Sequence, residues 1–525
     1  MKNSIPVKEL LMQVSKPIFA IQNKEGLNFI TRDNDYFINA LHEDALHSVK
    51  AFVPAIKPEN LGDKNFKKRH SLKYPYIAGA MANGITSAEM VTTMAENGML
   101  GFLGAGGLSL KKIEENIIKL KNTLQDKPFG FNLIHSPGDP AHEMATVDLY
   151  LKYNIKLISA AAFMRMTPAL VFYRIKGIYK NNQGEIVTPH HIIAKVSRIE
   201  IARQFFSPPP EKLVNILLEK GLVSNQEAEL SQHIPMAQDL TAEADSGGHT
   251  DNRPALALLP TMMALKNEFI KKYNYKEPLC VGLAGGIATP QSAAAAFSMG
   301  AAYILTGSIN QSCIEAEICE DVKKMLCLAE QADVAMAPAA DMFEIGAKVQ
   351  VLKRGTMFPV RAEKLYKFYK SYNSFDEIDE KSKQEIQEKF LQTSFEDAWK
   401  STKDFFQKNG NIKEIQRAQD DPKTKMALVF RSYLGLSSKW AIQGIPQRKM
   451  DYQIWCGPAI GAFNQWVKGS FLETHENRKT DEIALNLLLG ACICIRVSIL
   501  KNQGVEIEDA DLFKPMSKKE IFTFL

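Results

Sequence analysis

Residues 279–308 read LCVGLAGGIATPQSAAAAFSMGAAYILTGS. Residues 279–284 have the length and composition of a buried strand, 291–299 form an Ala-rich helical segment, and 303–307 make a second buried strand. Strand, helix and strand in this order mean a parallel sheet. Each strand ends on glycine, first in Leu283-Ala-Gly285-Gly286-Ile287 and then in Leu305-Thr306-Gly307-Ser308. Glycines between a strand and a helix let backbone N–H groups approach a phosphate closely, and the helix dipole adds favourable charge. Two such turns on consecutive strands, numbers seven and eight, correspond to the phosphate cup of a TIM barrel. Tight turns that hold no ligand are the alternative.

The same alternation runs backwards from this stretch. Strand-like runs at 76–81, 100–105, 129–134 and 156–160 are separated by helical segments at about 87–97, 109–124 and 142–153. Residues 170–196 supply strand-like material around the turn Asn181-Asn-Gln-Gly, read as a hairpin decorating the fifth unit. Residues 239–244 form the sixth strand, followed by a long helix at 254–272. That makes about eight strands in roughly 250 residues, the usual size of a (β/α)8 barrel. An α/β chain of this kind could also form a doubly wound open sheet, but the repeat number and size favour the TIM barrel. The expected organisation is a small N-terminal β-containing domain over 1–70, the barrel over 71–345, and a helical C-terminal domain over 346–525. Residues 199–238, with Pro208-Pro-Pro, read as a helical insertion near the barrel mouth.

The whole chain has 525 residues, more than one core usually accommodates. Hydrophobic residues at 45%, charged residues at 23% and a net charge of +5 are ordinary globular values. They give no case for nucleic acid or a membrane surface as a partner. The seven cysteines contain no CxxC pair, which argues against a disulfide framework, a zinc ribbon or any bound metal. Cys492 and Cys494 read as buried helix residues. The N-terminus lacks the apolar core of a signal peptide, and the apolar stretch starting at Leu487 is short for a bilayer. A cytoplasmic, reduced protein is expected.

Three further motifs carry chemistry. Ala242-Glu-Ala-Asp-Ser-Gly247-Gly248-His249 ends the sixth strand, on the catalytic face of a barrel. Gly247 and Gly248 leave room for a flat ring or a phosphate chain, and the His249 imidazole can act as acid or base near neutrality. A histidine that merely caps a loop is the plainer reading. After the first strand, Gly79-Ala80-Met81-Ala82-Asn83 has small residues that would let backbone lie against a ring edge. Asn132, at the end of the third strand, offers both donors and an acceptor to a polar ring edge; it could equally satisfy loop backbone. The segment 451–466 is read as a packed helix hairpin, with Cys456 lacking a histidine neighbour in sequence.

Taken together, Gly-Gly-His249, Ala-Gly-Gly-Ile287 and Thr-Gly-Ser308 resemble the 2-nitropropane dioxygenase (nitronate monooxygenase) superfamily. The longer segments 79–85, 129–137, 241–254 and 452–458 resemble its PfaD branch, the trans-acting enoyl reductases of polyunsaturated fatty acid and polyketide synthases. This resemblance extends over nearly the whole chain. It implies FMN across the barrel mouth, with the phosphate on Gly285, Gly286, Gly307 and Ser308 beside Thr306, and the ring near Ala80, Met81 and Asn132. It further implies NADPH as hydride source, an enoyl thioester on an acyl carrier protein as substrate, and His249 as acid/base. In the two better-known subfamilies that histidine does different jobs, so the alignment gives a position and not a reaction. Two rivals stand beside this reading: a nitronate monooxygenase in which His249 is a base and O2 the oxidant, and a synthase scaffold protein whose barrel is inactive. A homodimer is left open.

Overall fold

Eight short apolar runs become the staves of a closed barrel in the computed structural model, which describes residues 7–23, 26–31, 49–408, 412–508, 512 and 514–525. The strands, in chain order, are β1 (Ile18–Asn23), β2 (Gly26–Ile30), β3 (Val49–Val53), β4 (Tyr76–Ala78), β5 (Leu100–Leu103), β6 (Gly130–Ile134) and β7 (Leu157–Ala161). Then come β8 (Tyr179–Lys180), β9 (Ile186–Val187), β10 (His191–Val196), β11 (Asp239–Glu243), β12 (Gly248–His249), β13 (Cys280–Ala284), β14 (Ile304–Thr306), β15 (Val334–Pro338) and β16 (Lys348–Leu352). The barrel is β4-β5-β6-β7-β10-β11-β13-β14, all parallel, closed by Ile304 of β14 opposite Tyr76 of β4. This is the expected TIM barrel and not an open sheet.

The chain forms two compact units. The first comprises 1–244, 253–316 and 465–525; the second comprises 245–252 and 317–464. These units cut across the boundaries expected from sequence. Residues 317–345, read as barrel, belong to the second unit, and 465–525, read as part of a C-terminal domain, belong to the first.

In the first unit, Ile77, Phe102, Leu157, Ile193, Leu305 and Tyr303 fill the barrel interior. The helix Lys64–Arg69 closes its N-terminal end, where Phe66 stacks on Tyr303 with ring centroids 4.1 Å apart. Arg69 Nη1 donates to Asp239 Oδ1 at 2.5 Å, and His70 Nε2 pairs with Asp239 Oδ2 at 2.8 Å. Residues 1–6 and 32–48 lie outside the described residues. Within the described part of the N-terminal segment, β2-β1-β3 form an antiparallel sheet, accompanied by helices at Val7–Met12 and Lys64–Arg69 that sequence periodicity did not reveal.

Two expectations around the fifth unit need correction. Residues Pro168–Ile175 are a helix capped by Thr167, not strand; nearly all of that helix is buried, so it shows no polar face to betray its period. The hairpin β8–β9 forms around the turn as expected. The insertion starts at the mouth, its first helix following the C-terminal end of β10 directly, but its later part lies at the N-terminal end of the barrel: Gly177 N donates to Glu227 Oε1 at 2.6 Å, and Arg174 Nε to the Pro235 carbonyl at 3.0 Å, four residues before β11. Its helices are Ile199–Phe206, Glu211–Glu219 and Asn225–Ser231.

The helix Thr480–Asn502 carries the apolar run around Leu487. By length and composition it could cross a membrane, yet most of it is buried in the first unit. Gly490 lies against the helix Pro290–Ser298, where a Cβ would come within 2.6 Å of Pro290 Cγ. Arg496 donates to the Lys16 carbonyl at 2.8 Å, tying this helix to the start of the chain. Cys492 and Cys494 are buried in it, as expected.

The second unit is built on the antiparallel sheet β12-β16-β15, covered by helices Phe358–Ser371, Phe395–Lys408 and Pro422–Gln443. Its core joins Val349 and Val351 to Phe358, Leu365, Phe390 and Phe430. Buried Asp451 accepts from Tyr433 Oη at 2.6 Å and from Arg448 Nη1 at 3.1 Å, and pairs with Arg361.

Candidate active site

The loops at the C-terminal ends of the barrel strands interlock through their backbones. Gly79 N, after β4, donates to the Thr306 carbonyl at 2.8 Å, and Met81 N donates to Thr86 Oγ1 at 2.9 Å. Thr86 Oγ1 in turn donates to the Gly79 carbonyl at 2.8 Å, so Ala80 and Met81 are held half-buried in a fixed turn. Asn83 adopts φ +60° and donates from N to the Gly106 carbonyl at 2.7 Å, joining this loop to the one after β5.

Buried Asn132, on β6, takes up that chain of bonds. Its Oδ1 accepts from Gly106 N at 3.1 Å. The acceptor end is therefore spent on loop backbone, and the Nδ2 donors are the end left for a ligand. Thr306 is likewise committed: its Oγ1 pairs with Tyr76 Oη at 2.7 Å and donates to Asn310 Oδ1 at 3.2 Å. Its side chain supports the loop.

The glycine turns after β13 and β14 behave differently. Gly285 and Gly286 have φ +85° and +74°, a region that favours glycine. A Cβ at Gly286 or at Gly307 would meet nothing within 4 Å. Among the described residues, the N–H groups of Gly285, Gly286 and Gly307 donate to no group of the chain. The adjoining helix Pro290–Ser298 contributes less than its position promised. Its first turn is closed by its own capping box: Ala288 N and Thr289 N both donate to Ser292 Oγ at 3.0 Å, and Ser292 N to Thr289 Oγ1 at 3.2 Å. What remains is a set of unpaired glycine N–H groups beside open space on two adjacent strands, with half-buried Ser308 next to them. This arrangement fits a phosphate monoester.

The residues after β11 belong to the second unit. Gly248 and His249 form β12, with His249 opposite Val349 of β16. Gln350 Nε2 donates to Asp245 Oδ1 and to the Ser246 carbonyl, each at 2.8 Å, holding the loop in place. The space beside Gly247 is already taken, because a Cβ there would lie 2.6 Å from Cys456 Cα. Gly247 is thus required by the backbone packing of 456–457; Gly248, at φ +76°, faces open space. Burial pushes the Cys456 thiol up to about 12, so it is protonated and no nucleophile.

His249 is 41% exposed, and its Nε2 lies 3.0 Å from Asp341 Oδ1. Desolvation works against ionisation of Asp341, but the hydrogen bond and charge of His249 outweigh it, and the carboxyl titrates below its ordinary value. An ionised Asp341 can only accept, so Nε2 carries a proton and Nδ1 is the nitrogen open to other chemistry. Asp341 was not singled out from sequence, since 92 positions separate it from His249.

A second pair went unremarked as well. Lys195 Nζ of β10 lies 2.8 Å from Glu243 Oε1 of β11, both side chains half-buried. Thr241, two residues before Glu243, hydrogen-bonds Tyr303 inside the barrel at 2.8 Å, so by strand alternation Glu243 also faces the interior, one layer nearer the mouth. The signal was present in the sequence as charged residues inside the apolar strands HIIAKV and DLTAE.

Comparison with known proteins adds the following. Residues 64–363 match the nitronate monooxygenase family, and residues 372–452 match the inserted helical domain of [acyl-carrier-protein] S-malonyltransferase. The chain is 43% identical over 478 residues to one of the polyunsaturated fatty acid synthase subunits of Thraustochytrium sp., covering 89% of this chain and 32% of that protein. It is 44% identical over 480 residues to polyketide biosynthesis protein PksE of Bacillus subtilis, covering 91% of this chain and 61% of that protein. It therefore spans less than two thirds of either relative. Among solved structures, the enoyl reductase domain of MlnA from the macrolactin biosynthesis cluster of Bacillus amyloliquefaciens superposes with a TM-score of 0.80 at 39% identity, covering 85% of this chain and 99% of that one.

Proposed function

We propose, because this chain belongs to the nitronate monooxygenase family and within it to the PfaD-type enoyl reductases, that it reduces the carbon–carbon double bond of enoyl thioesters presented by the acyl carrier protein of a polyunsaturated fatty acid or polyketide synthase. The observation that carries the reading is the set of unpaired glycine N–H groups after β13 and β14, in a barrel that superposes on an enoyl reductase domain. One phosphate cup, without a GxGxxG turn for a pyrophosphate, favours FMN over FAD. Bound FMN would supply the two-electron chemistry, taking hydride from NAD(P)H and giving it to the enoyl Cβ.

The chain's own groups then have separate tasks. Gly285, Gly286 and Gly307, with Ser308, hold the phosphate through N–H donors. The fixed turn at Ala80 and Met81 would flank the flavin ring, and Asn132 Nδ2 would be the donor available to it. Gly248 keeps backbone bulk low beside His249. His249, oriented by Asp341 through Nε2, would deliver a proton to the substrate Cα from Nδ1 of its doubly protonated imidazolium form, leaving the neutral ring with its proton on Nε2; this role rests on the Gly-Gly-His motif. Holding hydride donor and acceptor atoms in line lowers the entropic part of the barrier.

The test has two parts. Flavin released by denaturing the purified protein is identified as FMN or FAD. Anaerobic NADPH oxidation is then followed with a crotonyl thioester of an acyl carrier protein. No flavin after reconstitution with FMN, or turnover confined to alkyl nitronates with O2, would overturn the proposal. A flavin-loaded protein that turns over neither substrate would favour a scaffold.

A further inference from the structure

The rim of the barrel mouth is not uniform. After β4, β5, β6, β13 and β14 the chain runs through 79–91, 104–113, 135–143, 285–293 and 307–313, each a loop with the first turn of any helix that follows. These described stretches expose no large apolar side chain, and their only lysines or arginines are Lys111 and Lys112. The first-unit stretches after β7, β10 and β11 have both kinds of residue, side by side or nearly so: Met164 and Arg165, Arg198 and Ile199, Arg253 and Leu256. Met164 is 52% exposed, Ile199 40% and Leu256 74%. Arg165 and Arg253 are exposed and, among the described residues, pair with no carboxylate; Arg198 is half-buried. Glu200 is the one acidic residue in these three stretches, 162–171, 197–202 and 253–258. They adjoin one another, because β7, β10 and β11 are hydrogen-bonded neighbours in the barrel. Phe163 meets Phe205 of helix Ile199–Phe206 edge-on with centroids 6.5 Å apart, and Phe206 lies 6.2 Å from Phe269 of helix Ala255–Tyr273.

One exposed aliphatic side chain is ordinary; three on neighbouring rim loops, each accompanied by an arginine, make a surface with the composition of a protein interface. Its surplus of positive charge fits an acidic partner. A substrate tethered to a carrier protein brings that protein against the rim whenever its arm enters the mouth. We propose that the arc formed by these three stretches is the docking surface of the acyl carrier protein, which meets it with an acidic and apolar face. This rests on the enoyl thioester reading above.

The FMN-loaded full chain is compared as wild type, as Leu256→Ser and as the double variant Arg165→Glu with Arg253→Glu. All three positions are exposed, so folding should survive. The probes are crotonyl thioesters of three carriers: the acyl carrier protein of a polyunsaturated fatty acid synthase, phosphopantetheine and N-acetylcysteamine. The double charge reversal should raise KM for the carrier-protein thioester by roughly 10- to 100-fold with kcat unchanged. Leu256→Ser should raise the same KM by roughly tenfold, the worth of one buried Leu side chain. Added salt should bring wild type towards the double variant. KM for the two small thioesters and the rate of flavin bleaching by NADPH should not change. An unchanged carrier-protein KM would overturn the assignment. So would an equal loss on the phosphopantetheine thioester, which would give the arginines to the phosphate of the arm, or slower bleaching, which would give them to NADPH. Fluorescence anisotropy of labelled carrier protein separates the two readings. Wild type that binds it but turns over no thioester would overturn the enoyl reductase reading and leave the surface standing. Wild type that turns over the small thioesters but binds no carrier protein would overturn the surface alone.

Discussion

Replacing Gly286 with Asp or with Asn separates shape from charge at the proposed phosphate site. Both side chains have the same size, both impose an L residue on φ +74°, and neither Cβ meets anything within 4 Å. The shared backbone strain is about 1–2 kcal/mol, and Asn and Asp tolerate this region better than most residues. Folding should survive in both. Any loss of FMN affinity through blocked backbone approach is also shared, so the Asp-to-Asn ratio reports charge alone. A carboxylate about 4 Å from one phosphate charge is repelled by about 4 kcal/mol at the effective dielectric of a protein surface. At about 1.4 kcal/mol per decade, that is roughly a thousandfold weaker FMN binding for Asp than for Asn. Because Gly286 is exposed, the ratio should shrink as salt is raised. Fluorescence titration of apoprotein at two ionic strengths measures it. Asp and Asn variants that bind FMN equally well would refute the reasoning, and the phosphate would have to lie elsewhere.

Three further outcomes are expected. His249→Ala should leave flavin bleaching by NADPH largely intact and slow reoxidation by a crotonyl thioester about 10²- to 10⁴-fold, measured by stopped-flow absorbance; slowing of flavin bleaching alone would assign His249 to the nicotinamide instead. Asp341→Asn should reduce the same reoxidation rate and move its pH profile, since the amide no longer favours the tautomer with Nε2 protonated; an unshifted profile would make the pair a surface contact. Asp239→Asn should destabilise the first unit by about 3–5 kcal/mol, because it leaves Arg69 buried against a neutral group. Burial opposes ionisation of Asp239, but Arg69 and His70 hold its carboxyl below the ordinary value. Its contribution is therefore present above the unfolded value and lost as pH falls through the lowered native one. The melting-temperature gap between wild type and the Asn variant should close in acid, and a gap that stays constant would contradict this.

Local signals were sufficient for the barrel. Short apolar runs, glycine after strands, and Ser87 and Ser109 before helical segments are readable residue by residue. In the structure those serines cap the helices Ala88–Glu96 and Leu110–Leu124. The glycine cradle was legible for the same reason, since unpaired N–H groups at a strand end need nothing from distant sequence. Helix Pro168–Ile175 was not legible as a helix. Its residues are aromatic, branched and buried on nearly every side, which is strand-like composition, and only Thr167 and Pro168 mark its start.

What the sequence by itself determined is the parallel (β/α)8 architecture, the glycine-bearing loops of the candidate site and the family motifs, because each depends on neighbours within a few residues. Only the tertiary structure decided where segments meet. It placed 245–252 with 317–464, set Asp341 against His249, and filled the space at Gly247 with the backbone of Cys456. It likewise put the helix Thr480–Asn502 in a protein core. An apolar helix without a polar face has the same composition whether lipid or protein surrounds it. Its surroundings here are the Ala-rich helix Pro290–Ser298, met at Gly490, and the carbonyls of the N-terminal segment, met by Arg496. Those partners are far away along the chain, and contacts of that range arise only once the backbone has folded.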